Sequence, residues 1–382
     1  MRFVQNFKKQ FALKHFINYF VLIGVLVVFI VLNAAGLLGR GDRSTLVRIG
    51  FGMILAISLN LIVGFLGELS LGHAGFMCVG AYIGCFVSNL LAPILGGGFL
   101  NLLLSLLTGG LTAAFFGFII GIPALRLKGD YLAITTLAFG EIVRNLFKNL
   151  PWFGGAKGLP TDLYDSETLF IVVFVARLLA LVLIQNLIRS KHGRAITAIR
   201  DNEIAAKAMG INVTFYKLFV FILAAFFAGL AGVFYGKCFG IIRQETFDYN
   251  YSIEILVMVV LGGIGSMNGS MLAAAIITFL NVKLQNALSG ELAPIKLIVY
   301  AVILILIIMF SNAPQLVRIR EKLSPKKLFQ RLRRKDPGIV RPDEAEWNRI
   351  TTKIQMDELL RVDVKTKEGE LTDPDKPERG AK

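Results

Sequence analysis

Few residues of this sequence are of the types that perform catalysis or bind metals, and their spacing does not group them. The three histidines, His15, His73 and His192, lack the short spacing that zinc ligands need. The three cysteines form no CxxC pair and lie in or beside apolar segments, at Cys78, Cys85 and Cys238. We therefore expect no catalytic residues, no metal site, no disulfide framework and no cofactor.

Polar groups inside apolar stretches are a stronger signal. The stretch 58–82 carries Ser70 and His73 among glycines, namely Gly64, Gly67, Gly72, Gly75 and Gly80. A helix broken there frees backbone groups, which at membrane depth must be buried in protein or line a cavity. We predict that Ser70, His73, Thr135 and Thr136 line or flank a substrate pathway. Packing alone is the competing interpretation, and a buried, hydrogen-bonded histidine is the commoner role for His73 taken alone.

A second glycine cluster, Gly262, Gly263 and Gly265, interrupts the apolar residues 251–282. Its glycines resemble a phosphate-binding loop only superficially, because no lysine and serine or threonine follow at P-loop spacing. We predict instead a helix break that divides this stretch into two short helices, with a re-entrant turn as one form it could take.

The polar residues 189–217 stand between two apolar stretches. Their basic residues place them in the cytoplasm. We predict a short helix over 194–209 that ends at Gly210, with Ile196, Ile199, Ala206 and Met209 on one side. Such a face needs a partner, either another protein or the membrane surface.

The elements that position these residues are long apolar segments. Hydrophobic residues make up 55% of the chain, and its 18% charged residues are segregated outside the apolar runs. Counting 131–150 as one span and 251–282 as two, we expect an all-α polytopic membrane protein with about ten spans (8–10) and glycine-broken helices. The other spans are predicted near 17–38, 49–66, 69–92, 99–122, 168–188, 218–236 and 295–311.

Charge then gives the orientation and the domains. The net charge of +15 does not indicate nucleic-acid binding, because the basic residues flank apolar spans. We expect a cytoplasmic N-terminal segment (1–16), a transmembrane domain (17–311) and a largely disordered cytoplasmic tail (312–382), whose basic residues 318–335 contact anionic lipid. Arg40, Arg43 and Arg48 conflict with this orientation, since they would fall in an external loop.

Five blocks occur in the order of a known family. They are NLIVGFLGELSLGHAGFMCVGAY (60–82), GDYLAITTLAFGEIVRN (129–145), GRAITAIRDNEIAAKAMGINVTFYKL (193–218), AGLAGVFYG (228–236) and LVMVVLGGIGSMNGSMLAAA (256–275). Together they resemble the M-type permease of the branched-chain amino acid ABC importers. The resemblance covers about 50 to 311 and does not extend to the tail.

This resemblance implies a non-catalytic permease subunit in a bacterial inner membrane. Its implied partners are an H-type permease, two cytoplasmic ATPases and an extracytoplasmic binding protein. Glu203, Ala205, Ala206 and Gly210 resemble the signature of importer coupling loops, although Ile204 intrudes. The residues expected to couple to the ATPase are Gly193, Arg194, Ile199, Arg200, Asp201, Glu203, Ala205, Ala206, Met209 and Gly210.

Two other functions stay open on the residues alone. A stand-alone ion-coupled carrier would need several charged residues within its spans, and Glu141, Arg144 and Arg177 are candidates. An integral-membrane enzyme would need converging catalytic groups, which the sequence does not supply.

Overall fold

The computed structural model describes residues 39–127 and 129–287, with a few isolated positions before 39 and after 287. Within these ranges the chain forms ten α-helices: α1 Arg40–Asn60, α2 His73–Leu95, α3 Phe99–Ala124, α4 Asp130–Asn149, α5 Ser166–Arg189, α6 Lys191–Asp201, α7 Glu203–Ala208, α8 Val213–Phe239, α9 Tyr249–Gly262 and α10 Met267–Ala287. A π-helix, Leu61–Leu66, continues α1. Two short strands, β1 Leu159–Pro160 and β2 Ile241–Ile242, pair antiparallel.

Among the described residues, six helical segments are long and apolar enough to cross a membrane, which makes this a multi-pass membrane protein. They are Gly41–Leu66, His73–Leu95, Phe99–Ala124, Ser166–Arg189, Val213–Phe239 and Met267–Gln285. The first begins earlier than the predicted 49–66, so Arg43 and Arg48 belong to a helix rather than a loop. Residues 131–150 are helical, as α4. This helix carries too many charged residues to count among the six apolar segments.

Other predicted parts fall outside the described residues. These are the N-terminal segment, most of the spans 17–38 and 295–311, and the tail 312–382. The total of about ten spans therefore stays a prediction.

The helices alternate between two ends of a bundle. At one end, the α6 end, α6 lies against the π-helix, because Arg200 Nη1 donates a hydrogen bond to Gly64 O at 3.1 Å. At the opposite end, the β end, β1 pairs with β2. There Thr161 N donates to Gly240 O at 2.9 Å, which fastens the segment after α4 to the end of α8.

Helices α2, α3 and α8 approach one another through glycines. A Cβ atom placed on Gly109 of α3 would lie 2.7 Å from the carbonyl oxygen of Gly80 in α2. One placed on Gly229 of α8 would lie 2.6 Å from Gly109 O. Both distances are shorter than real Cβ contacts allow, so these three helices require glycine where they cross.

Candidate functional site

The first helix break lies where α1 ends. The π-helix ends at Gly67, whose φ of 80° is in the left-handed region that favours glycine. A Cβ there would also lie 2.6 Å from Arg200 Cγ of α6. Residues 67–72 are not helical, and α2 begins at His73. Gly64 lies within the π-helix, Gly72 packs against the Thr136 carbonyl, and Gly75 differs from the prediction because it lies inside α2, packed on Gly140.

The second break separates α9 from α10, also as predicted. Helix α9 ends at Gly262, which packs on the backbone of Gly269 and Ser270, and α10 begins at Met267. Gly263 and Gly265 both have positive φ. Only α9, with 14 residues, is short; α10 has 21 residues and is one of the six segments long enough to cross a membrane, so the prediction of two short helices is wrong for α10.

Asn60, which the sequence analysis did not single out, joins the two breaks. Its Oδ1 accepts a hydrogen bond from Gly265 N at 3.0 Å, and its Nδ2 donates to Ser270 Oγ at 2.9 Å. Asn60 is fully buried, so this bridge replaces hydrogen bonds that water cannot supply. The only signal in the sequence was an amide at the end of an apolar run.

The segment predicted to be one helix over 194–209 consists of two. Helix α6 ends at Asp201, and Asn202, with φ of −159°, caps α7 by accepting a hydrogen bond from Ala205 N at 3.0 Å. Asparagine followed by an acidic residue is a recognised helix start, so the sequence contained this signal. Helix α7 ends at Ala208 with Met209 as its cap, and Gly210 follows with φ of 79°, in the left-handed region that favours glycine.

The apolar face of this segment points into the protein. Ile196, Ile199 and Ala206 are buried against the chain itself. The expectation that Ile199 and Ala206 present a surface to a partner is therefore wrong. Met209 is 82% exposed, and Ile204, which did not fit the signature, is 79% exposed.

The remaining residues predicted to couple to the ATPase are also partly buried and partly exposed. Gly193 is buried because the turn from α5 into α6 brings it against the Ile188 carbonyl. Arg194, Asp201 and Ala205 are exposed. The exposed positions thus form a surface different from the predicted one.

A buried lysine joins this segment to the first break. Lys217, at the start of α8 and 5% exposed, contacts the carboxylates of Glu68 and Glu203, the latter at 3.2 Å. Lys207 binds the other oxygen of Glu203 at 2.7 Å. The hydrogen bond from Lys207, opposed by burial and reinforced by Lys217, lowers the pKa of Glu203 to about 2. The sequence indicates only that Lys217 is one of the basic residues of 189–217; it does not show that its side chain is buried between two carboxylates.

Arg200 makes a second connection. Besides its bond to Gly64 O, it donates from Nε and Nη2 to Asp201 Oδ1, at 3.0 and 2.8 Å. Helix α6 therefore holds a carbonyl of the π-helix while its arginine is fixed by its own neighbour. A displacement of α6 or α7 would reach α1, the 67–72 loop and α8 directly.

Three of the four predicted pathway residues meet at the first break. His73 Nε2 lies 2.7 Å from Ser58 Oγ, and Thr136 Oγ1 accepts from Leu71 N at 3.0 Å. Within the described part, Ser70 Oγ and His73 Nδ1 are buried without a hydrogen-bond partner. Thr135 is half-buried and forms none of these contacts. Their place in a pathway stays a prediction.

Comparison with known proteins decides the family. The family described as branched-chain amino acid transport system, permease component, matches residues 43–308. The chain belongs to this permease family. The resemblance inferred from the five sequence blocks is confirmed.

Individual relatives are also permeases. The high-affinity branched-chain amino acid transport system permease protein LivM is 37% identical over 272 residues in both Salmonella typhimurium and Escherichia coli K12. The match covers 63% of this chain and 62% of each LivM, so the chain spans less than two thirds of their length. The ribose import permease RbsC of Escherichia coli K12 is 26% identical over 300 residues, covering 75% of this chain and 88% of RbsC.

A solved structure, PsaBC from Streptococcus pneumoniae in complex with Fab, matches at 15% identity with a TM-score of 0.39. It covers 75% of this chain and 96% of that chain. We draw no structural conclusion from a match at this level.

Proposed function

We propose that this chain is a transmembrane permease subunit of an ABC importer for branched-chain or related amino acids. It forms the pathway with a second, H-type permease, receives substrate from an extracytoplasmic binding protein, and is driven by two cytoplasmic ATPases. It is itself non-catalytic. The chain lies in a bacterial inner membrane with both termini in the cytoplasm, its permease domain spanning 17–311 between the N-terminal segment and the tail.

The observation that carries this proposal is the position of α6 and α7. They form a polar segment between two spans, and they contact both the π-helix of the first break and the loop that follows it. Arg200 holds Gly64, and Lys217 holds Glu68 and Glu203 together. A force applied to this segment from the cytoplasm would therefore move the broken helices without crossing a flexible linker.

The surface that receives the ATPase is the exposed side of α7. Ile204 and Met209 present large apolar side chains, and Ala205 and Ala208 between them are small. Small residues permit close approach to a groove, while the two large side chains can fill pockets in it. Asp201 and Arg194 would form charged contacts at the rim, which fix register more than they add affinity.

The substrate pathway passes the first break in this proposal. Ser70 and His73 retain unused polar atoms there, and Thr136 closes the loop 67–72 against α4. Buried polar atoms without partners are rare, and in this proposal substrate or a rearrangement supplies the missing bonds. Thr135, on the less buried side of α4, is placed at the edge of the route.

The test is purification of the complex, followed by ATPase and uptake assays across a panel of amino acids. Met209→Arg and Ile204→Arg should abolish ATPase retention and uptake while leaving the permease pair assembled. Leu163→Arg is the matched control, because Leu163 is also a large exposed apolar residue, at 69%, but lies at the β end. If Met209→Arg and Ile204→Arg both retain the ATPase and full uptake, the assignment of α7 is wrong.

A stand-alone ion-coupled carrier is the second candidate. Its supporting observation is Arg177, which is 3% exposed in α5 and donates to Met53 Sδ rather than to a carboxylate. Glu141 and Arg144, by contrast, pair with each other. Uptake into proteoliposomes separates the two functions, since the carrier would respond to an ion gradient without any ATPase.

A further inference from the structure

A cavity of about 320 Å³ opens between α1, α8, α9 and α10. It lies toward the β end, because Arg48 stands two turns from the start of α1 and Phe239 is the last residue of α8. None of the residues assigned above to coupling or to the pathway lines it. Its volume is near the lower limit of about 300 Å³ for small-molecule sites.

One wall of the cavity carries a guanidinium with unused hydrogen-bonding capacity. Arg48 stacks on Phe239 with 4.3 Å from its Cζ atom to the ring centroid. Its Nε is buried and has no hydrogen-bond partner. Among the described residues no carboxylate lies within ion-pair distance of Arg48, whereas Arg43 on the same helix pairs with Glu167 at 3.6 Å. A guanidinium held this way is suited to a carboxylate, which it can bind through two parallel bonds.

The other walls provide an acidic group and an apolar surface. Glu254 of α9 accepts a hydrogen bond from Asn281 Nδ2 at 2.9 Å. Its carboxylate lies at the cavity wall and supplies negative charge there. Phe51, Met258 and Val282 supply the apolar lining.

We propose that this cavity binds one α-amino acid with an apolar side chain. Arg48 holds the carboxylate, Glu254 holds the ammonium group, and the side chain packs against Phe51, Met258 and Val282. This inference rests on the proposed function, and it identifies a binding site that the chain itself provides on the side opposite α6 and α7. A site there would accept substrate before the first break opens.

Labelling of the assembled importer in proteoliposomes tests occupancy. Thr278 lines the cavity, and Thr278→Cys places a thiol there for a membrane-impermeant methanethiosulfonate reagent. Leucine should slow the labelling by about tenfold when it saturates the site. Isoamylamine, which lacks the carboxylate, and 4-methylpentanoate, which lacks the amine, should slow it less than about twofold. The unmodified chain gives the background of its native cysteines.

Transport kinetics test the role of Arg48. Arg48→Met should raise the KM for leucine by about tenfold or more, and Arg48→Lys should raise it less, because a point charge replaces the two-pronged contact. Arg43→Met is the matched control and should change KM by less than about twofold.

The outcomes separate the site from the function. If the wild-type importer transports leucine, but leucine does not protect Thr278→Cys or both Arg48 variants keep the normal KM, the cavity is not the site. Protection by anionic lipid in place of leucine overturns it as well. If the wild-type complex transports no amino acid and shows no substrate-stimulated ATPase activity, both the proposed function and the proposed binding site are wrong.

Discussion

Replacing Lys217 by methionine should destabilise the α6 end of the protein and break the contact between α7 and the loop 67–72. Lys217 is the cation between Glu68 and Glu203, and it is 5% exposed. Its loss leaves Glu68 as a largely buried carboxylate without a described partner, whereas Glu203 keeps Lys207. Removing one partner of a buried ion pair costs about 3–5 kcal/mol, and we expect the lower end because Glu203 stays paired.

The control is Lys207→Met. Lys207 contacts the same Glu203 but its side chain is 57% exposed, and exposed pairs contribute at most about 1 kcal/mol. The two variants should therefore differ by about 2 kcal/mol, which is roughly a factor of 30 in the unfolding equilibrium.

A thiol-reactive fluorophore measures this difference in detergent. Cys78 and Cys85 are buried, so they react only when the bundle opens. Lys217→Met should shift unfolding to lower temperature and abolish transport, and Glu68→Gln added to it should recover part of the stability by removing the orphaned charge. Equal unfolding midpoints for Lys217→Met and Lys207→Met would refute the reasoning.

Three further predictions concern the breaks and their charges. Gly67→Val should abolish uptake, because it combines left-handed strain with a clash on Arg200, whereas Gly97→Ala, where a Cβ meets nothing, should be neutral in the same assay. Asn60→Leu should cost about 1–3 kcal/mol, because Gly265 N loses its acceptor, while Ser270 Oγ keeps its bond to Ser266 O. Thiol-monitored unfolding measures this cost, and an unchanged midpoint contradicts the bridge. Because its native pKa lies below the ordinary 4.5, Glu203 contributes stability above about pH 5 that is lost as pH falls toward 2, and Glu203→Gln should remove this pH dependence.

The helix breaks were accessible from the sequence. Glycines such as Gly67 and Gly263 lie within apolar runs, where they would destabilise a continuous helix. Composition and glycine positions therefore predicted the breaks and the polar segment between spans, while the family came from the resemblance of the five sequence blocks. Bridges such as Asn60 to Gly265 were not accessible, since they join residues that only the folded bundle brings together.

The partner of an apolar face was not accessible either. Ile199, Ala206 and Met209 follow the same helical spacing whether the face packs inward or outward. Ala206 is buried inside α7, whereas Met209 lies just beyond the last helical residue, Ala208, and is exposed. The spacing alone shows neither where the helix ends nor which neighbour its apolar face packs against.

The glycine crossings of α2, α3 and α8 have a mechanical consequence. Where Gly80, Gly109 and Gly229 meet, backbone touches backbone, and no side chain can change rotamer to accommodate sliding. We therefore expect these three helices to move as one rigid body during a transport cycle. Bending is then expected at the loop after Gly67 and at the turn between α9 and α10, which both lie at the α6 end.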